Sequence, residues 1–144
     1  MKCLRVLLFV LSGMSLAMAS SLPVMEVYKT PTCSCCGVWE AHMRAAGFRV
    51  RSHVVKDISA TRASLGMPEK YASCHTAKVG GYLVEGHVPA DDIKRLLTER
   101  PEAIGLSAPG MPQGAPGMES PNPEPYETLL IQKNGARVFQ RHTP

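Results

Sequence analysis

Cys33, Cys35, Cys36 and Cys74 carry the chemistry that this sequence offers most visibly. Three of them fall within Cys33-Ser34-Cys35-Cys36, so any full pairing into disulfides joins Cys74 to one of the three and leaves two bonded locally. A long crosslink from Cys74 would contribute about 4 kcal/mol, whereas a four-residue loop offers about 2 before strain. A bond between the neighbours Cys35 and Cys36 would be strained. Clustered thiols at a helix start suit redox or ligand chemistry instead. The positive helix end stabilises thiolates, and thiol pKa values there can fall to about 3.5–7.5. Cys33 and Cys36 are three apart and share one helical face, with Cβ atoms roughly 5–6 Å apart. Cys35 is rotated about 100° from Cys36 and points elsewhere. A redox pair needs only Cys33 and Cys36, and the extra thiol is what a metal cluster would use to bridge a second ion. Thiolates select Cu(I), Zn(II) or iron–sulfur centres over hard cations. No carboxylate stands beside these cysteines, which argues against calcium and magnesium.

Cys74 is followed by His75, the best candidate for a nitrogen ligand. His87, between Gly86 and Val88-Pro89, reads as part of a simple connector, and His42, His53 and His142 read as solvent-facing. Met111 and Met118 offer thioethers, but methionine more often fills gaps against a core. Trp39 reads as helix packing. Three functions remain open: a soft-metal site on all four cysteines, a thiol–disulfide oxidoreductase using Cys33 and Cys36, and a structural zinc site on Cys33, Cys36, Cys74 and His75. The last is a legitimate tetrahedral set, yet it leaves Cys35 unexplained.

The elements that must position these residues follow from local pattern. Met25-Glu26-Val27-Tyr28 is a short extended segment, and Thr32 can cap a helix opening at Cys33. Trp39, Met43 and Ala46 recur at helical spacing until Gly47. Phe48 to Val54 alternates, with Phe48, Val50 and Val54 on the buried face of a strand. Asp57 caps a second helix that Gly66 ends. Thr76 to Val79 and Tyr82 to Glu85 flank Gly80-Gly81, a hairpin signal. A third helix begins near Pro89, suits Asp91 and Asp92 at its positive end, and buries Ile93, Leu96 and Leu97. Residues 101–125 hold seven prolines and four glycines, which predicts a long loop with neither helix nor central strand. Tyr126 to Gln132 and Ala136 to Arg141 flank Asn134-Gly135 and predict a C-terminal hairpin over residues 126–141. The order β-α-β-α-β-β-α predicts an α/β fold with a small mixed sheet flanked by helices. A helix that opens on cysteines after the first strand makes a thioredoxin-like arrangement the candidate.

Residues 1–19 stand apart. Lys2 and Arg5 form a positive head, an apolar run follows from Val6, and Ala17-Met18-Ala19 supplies small residues for cleavage. This is the pattern of a secretory signal, and Cys3 would leave with it. The apolar run is too short and interrupted for the roughly 20 residues a span needs. Residues 20–144 then form the exported domain, with 14 basic against 12 acidic residues. That balance excludes a nucleic-acid binder, which would show a clustered basic face. Export would place the cysteines where disulfides persist.

With these residues in view, the chain resembles a known family. Val27-Tyr28-Lys29-Thr30-Pro31-Thr32-Cys33-Ser34-Cys35-Cys36, Ser73-Cys74-His75-Thr76 and Val84-Glu85-Gly86-His87-Val88-Pro89-Ala90-Asp91-Asp92-Ile93 are similar to the small periplasmic thioredoxin-like proteins of bacterial copper-resistance operons, the CopG type. Residues 109–118 resemble that family's Gly/Pro/Met loop. Ser34 departs from the glycine common between the first two cysteines. The resemblance covers nearly all of residues 20–144. It implies copper, as Cu(I), bound through the four cysteines, with cycling between Cu(I) and Cu(II), a part in copper tolerance, and periplasmic copper-handling proteins as partners.

Overall fold

The computed structural model describes residues 21–144. The leader expected over residues 1–19, its cleavage after Ala19, and Cys3 lie outside the described residues. The elements run β1 (Met25–Lys29), α1 (Ser34–Ala45), β2 (Val50–Val54), α2 (Ile58–Leu65), a 3-10 turn (Glu69–Tyr71), β3 (His75–Val79), β4 (Tyr82–Gly86), α3 (Ala90–Glu99), β5 (Gly105–Ala108), β6 (Tyr126–Gln132) and β7 (Gly135–His142). The strands form one mixed sheet in the order β2-β1-β3-β4-β5-β6-β7.

Pairing direction follows from the connections. α1 carries the chain back so that β2 lies parallel to β1, and α3 does the same between β4 and β5. The β3–β4 hairpin turns on Gly80 and Gly81, both at positive φ (56° and 90°), the backbone that a tight two-residue hairpin turn demands. β3 is antiparallel to β1, and β6 is antiparallel to both β5 and β7.

Alternation along the strands separates two apolar layers. Val84, Leu106 and Leu130 join Trp39 and Met43 of α1 and Ile93 and Leu96 of α3 in the main core. Their neighbours Leu83 and Ile131 pack with Met67, Leu65 and Tyr71, so the α2 region covers the opposite side. Asp57 caps α2 as expected, accepting the Ala60 N–H at 2.9 Å, and Gly66 ends it in the left-handed conformation.

Four expectations are corrected. Thr32 does not cap α1: Cys33 holds the cap position, and no side chain bonds the first-turn amides. Val54 is 66% exposed, because β2 is an edge strand and its last residue runs beyond the main core. Residues 101–125 are not all loop, since β5 is a fully buried strand between β4 and β6. The prolines lie at residue 101 and from 109 onward, which leaves a proline-free run long enough for a strand. The C-terminal hairpin is present, but Gln132 pairs with Gly135, so its turn is Lys133-Asn134 rather than Asn134-Gly135.

Candidate metal centre

The sheet register builds the site. β1 and β3 run antiparallel with Lys29 opposite His75, so the chain leaving β1 reaches the first turn of α1 beside the residue that precedes β3. That residue is Cys74. Its Sγ lies 3.8 Å from Cys35 Sγ and 3.7 Å from Cys36 Sγ, and Cys35 Sγ lies 3.6 Å from Cys33 Sγ. The four sulfurs all fall within 4.8 Å of one another. Cys33 and Cys36 are joined by a disulfide, while Cys35 and Cys74 are free thiols. Cys36 is buried and the other three are half-buried, so the cluster opens toward solvent along one side.

Two imidazoles complete it. His75 is fully buried, packs tilted against Trp39 with ring centres 4.4 Å apart, and brings Nδ1 to 3.3 Å from Cys74 Sγ. His87 brings Nε2 to 3.1 Å from the same sulfur. His87 is therefore no connector: it too is fully buried. Its Nδ1 lies 2.8 Å from the Pro116 carbonyl, which can only accept, so Nδ1 carries the proton and the Nε2 lone pair faces the sulfur. Cys74, His75 and His87 thus form a second ligand-like group sharing Cys74 with the first. The signal for His87 was in the hairpin. Thr76 pairs with Glu85 across Gly80-Gly81, and two more residues outward on each side bring Cys74 opposite His87.

The remaining candidates go elsewhere. His42 and His53 are exposed and pair with Glu119 and Glu26, each at 2.6 Å. His142 is not solvent-facing as expected: it is half-buried, with Nε2 2.8 Å from Asp92 and 3.1 Å from Thr128 Oγ1. Trp39 is core, and its Nε1 donates to the Val88 carbonyl at 2.9 Å. Met111 is 54% exposed and Met118 is half-buried.

Electrostatics favour the uncharged forms of Cys74, His75 and His87. Burial, then the neighbouring Cys35, pushes the Cys74 thiol up to about 12. Burial, then His87, Lys29 and Arg62, holds His75 down to about 3, and burial also lowers His87. A soft donor set of mostly half-buried sulfurs and buried imidazoles fits a soft cation, and it offers no oxygen cage for a hard one.

The Pro/Gly segment after β5 closes one side. Gly117 sits so tightly that a Cβ there would lie 2.9 Å from Trp39 N, 3.0 Å from Cys35 O and 3.2 Å from His87 Nδ1.

Comparison with known proteins decides the family. Residues 71–118 match the family model described as a protein of unknown function, DUF411. No curated protein matches. Among solved structures, copper resistance protein CopG in its form 2 is 40% identical, with a TM-score of 0.80 over 85% of this chain and 99% of that one. Form 1 of the same protein gives 40% identity and a TM-score of 0.78 over the same shares. The chain belongs to the CopG family. For a CopG chain, the DUF411 match has a plain structural meaning. It runs from the 3-10 turn to Met118, so it contains Cys74, His75, His87 and the Pro116–Gly117 cover but none of Cys33, Cys35 and Cys36.

Proposed function

We propose that this CopG-family protein binds Cu(I) through Cys33, Cys35, Cys36 and Cys74, with His75 and His87 supplying nitrogen, and serves copper tolerance. One observation carries the reading: four sulfurs converge within 4.8 Å although one of them is 38 residues from its nearest partner in sequence. A plain dithiol enzyme has no use for Cys35 and Cys74 there. Four thiolates can bridge several low-coordinate Cu(I) ions, whereas zinc would take one tetrahedral set.

The Cys33–Cys36 disulfide sets the condition for capture. In the bonded state two of the four cluster cysteines, Cys35 and Cys74, are free, and the full cage needs two electrons to give two more thiolates. Two Cu(I) ions oxidised to Cu(II) release those two electrons, so cycling of the metal and of the disulfide can balance. The same disulfide favours a second reading, a thiol–disulfide oxidoreductase in which Cys33 attacks and Cys36 resolves. We also read residues 20–144 as one thioredoxin-like metal-binding domain, exported to the periplasm once residues 1–19 are removed. Native protein that retained residues 1–19 by mass spectrometry would end the export reading.

Cys35→Ser separates the two main functions. The reduced mature protein, titrated anaerobically with Cu(I), is expected to bind more than one ion per chain, and Cys35→Ser is expected to bind fewer. A dithiol enzyme would keep its exchange activity in that variant, since Cys33 and Cys36 remain paired. Full copper loading of Cys35→Ser, together with disulfide exchange by the wild type, would transfer the assignment to the oxidoreductase. Saturation at one Zn(II), with Cu(I) held no better, would transfer it to zinc.

A further inference from the structure

Arg62 and Glu85 form a buried ion pair that no step above uses. Arg62 Nε donates to Glu85 Oε1 at 2.9 Å, and the two side chains are 2% and 0% exposed. Two buried charges repay their desolvation only when further hydrogen bonds complete them. Here those bonds converge on one short stretch of chain. Glu85 Oε1 also accepts the Ser73 N–H at 2.7 Å, and Arg62 Nη2 donates to the Ser73 carbonyl at 2.6 Å. Both backbone polar groups of Ser73 are therefore held by one ion pair. That carbonyl belongs to the peptide bond entering Cys74. On the far side of Cys74, Glu85 Oε2 accepts from Thr76 Oγ1 at 2.5 Å. Arg62 is itself anchored on the 3-10 turn, with Nη1 2.9 and 3.1 Å from the Glu69 carboxylate.

Cys74 needs such support because it stands outside the sheet. β3 begins at His75, and the pairing of β1 with β3 ends at Lys29 and His75. The cysteine that carries four of the cluster's contacts, to Cys35, Cys36, His75 and His87, is thus left to the segment before the strand.

We infer that the Arg62–Glu85 pair is the positioning device of this site: it clamps the chain on both sides of Cys74 and so holds the Cys74 sulfur among Cys35, Cys36 and His87. Neither residue hydrogen-bonds a cluster sulfur, so both act through the Ser73 backbone and the Thr76 side chain. The copper arm of the inference rests on the proposed function, but the clamp itself does not.

The test uses the mature protein and four forms: wild type, Glu85→Gln, the pair Arg62→Met with Glu85→Gln, and, as control, Glu127→Gln, whose carboxylate pairs with Arg141 on the C-terminal hairpin. The paired variant leaves no unmatched charge between positions 62 and 85, and it carries the test if Glu85→Gln alone fails to fold. In the metal-free oxidised protein, only Cys35 and Cys74 react with a small haloacetamide. Mass spectrometry is expected to show Cys74 labelling accelerated on the order of tenfold relative to Cys35, as local opening of one segment requires. The control is expected to leave the ratio unchanged. A merely stabilising pair would move both rates together. In the reduced protein, competition with a chromogenic Cu(I) chelator is expected to show affinity lowered roughly 10–100-fold, the usual effect of losing a group behind a ligand. Labelling rates that change in step, or not at all, would overturn the inference. A wild type that fails to bind Cu(I) would instead overturn the proposed function, and the labelling ratio would still judge the clamp.

Discussion

His87 shows how one hydrogen bond turns a buried histidine into a ligand-like one. The Pro116 carbonyl fixes the proton on Nδ1 and leaves the Nε2 lone pair 3.1 Å from Cys74 Sγ. His87→Phe keeps an aromatic ring in the same buried space but removes that lone pair. Reduced His87→Phe is expected to lose roughly tenfold or more in Cu(I) affinity, measured by chelator competition, while its four thiolates remain. Unchanged affinity would reduce His87 to packing. The four cysteines were legible in the sequence because their crowding admits no sensible pair of staples. His75 was legible by its place beside Cys74. His87 was missed because Gly86 and Val88-Pro89 look like a connector, although the Gly80-Gly81 hairpin already fixes which residue must face Cys74.

The segment after β5 shows the same tension among elements. Its composition reads as loop, and from residue 109 to 125 it is one, yet β5 lies inside the same Pro/Gly-rich span. Proline forbids a strand only where it stands, so a window average conceals a short buried strand flanked by prolines. What the loop does could not be read from composition, because its contacts with α1 and His87 join residues far apart in sequence, whereas its own hydrogen bonds, such as Gly114 N–H to the Met118 carbonyl at 2.7 Å, are local. Gly117 is the point of closest approach, at φ +83° and with Trp39 N, Cys35 O and His87 Nδ1 crowding any added Cβ. Gly110 has a similar φ of +72° but nothing within 4 Å. Gly110→Ala is expected to cost about 1–2 kcal/mol, the strain of the left-handed backbone alone. Gly117→Ala bears that strain and a clash against two backbone atoms, so it should cost more and also disturb the Cu(I) site. Urea unfolding of the two variants checks this, and equal losses would mean that the cover is not pressed against the site.

At the scale of the whole molecule, His75 at the start of β3 and Cys74 just before it fold in their uncharged forms, and this gives stability a predictable dependence on pH. The first four strands and three helices were legible from alternation, caps and the Gly-Gly turn. The charge state of His75 and Cys74 was not, because it depends on burial that only the assembled sheet creates. His75 is held down to about 3 in the folded protein, against an ordinary value of 6.5. Between those values the unfolded chain binds a proton that the folded protein refuses, so its stability is fully present above pH 6.5 and is lost as pH falls toward 3. The slope is about 1.4 kcal/mol per pH unit, which amounts to about 2 kcal/mol from His75 by pH 5. Cys74 acts at the other end. Its thiol is pushed up from 9.0 to about 12, so above pH 9 the unfolded chain sheds a proton that the folded protein keeps, and stability falls again. Metal-free oxidised protein is therefore expected to be most stable between about pH 6.5 and 9. His75→Phe, which can still pack on Trp39, is expected to flatten the acid limb, and Cys74→Ser the alkaline one. Urea midpoints measured from pH 4 to 10 for the three proteins decide it. Acid slopes that coincide for wild type and His75→Phe would show that carboxylates, and not the buried imidazole beside the cysteine cluster, govern acid unfolding.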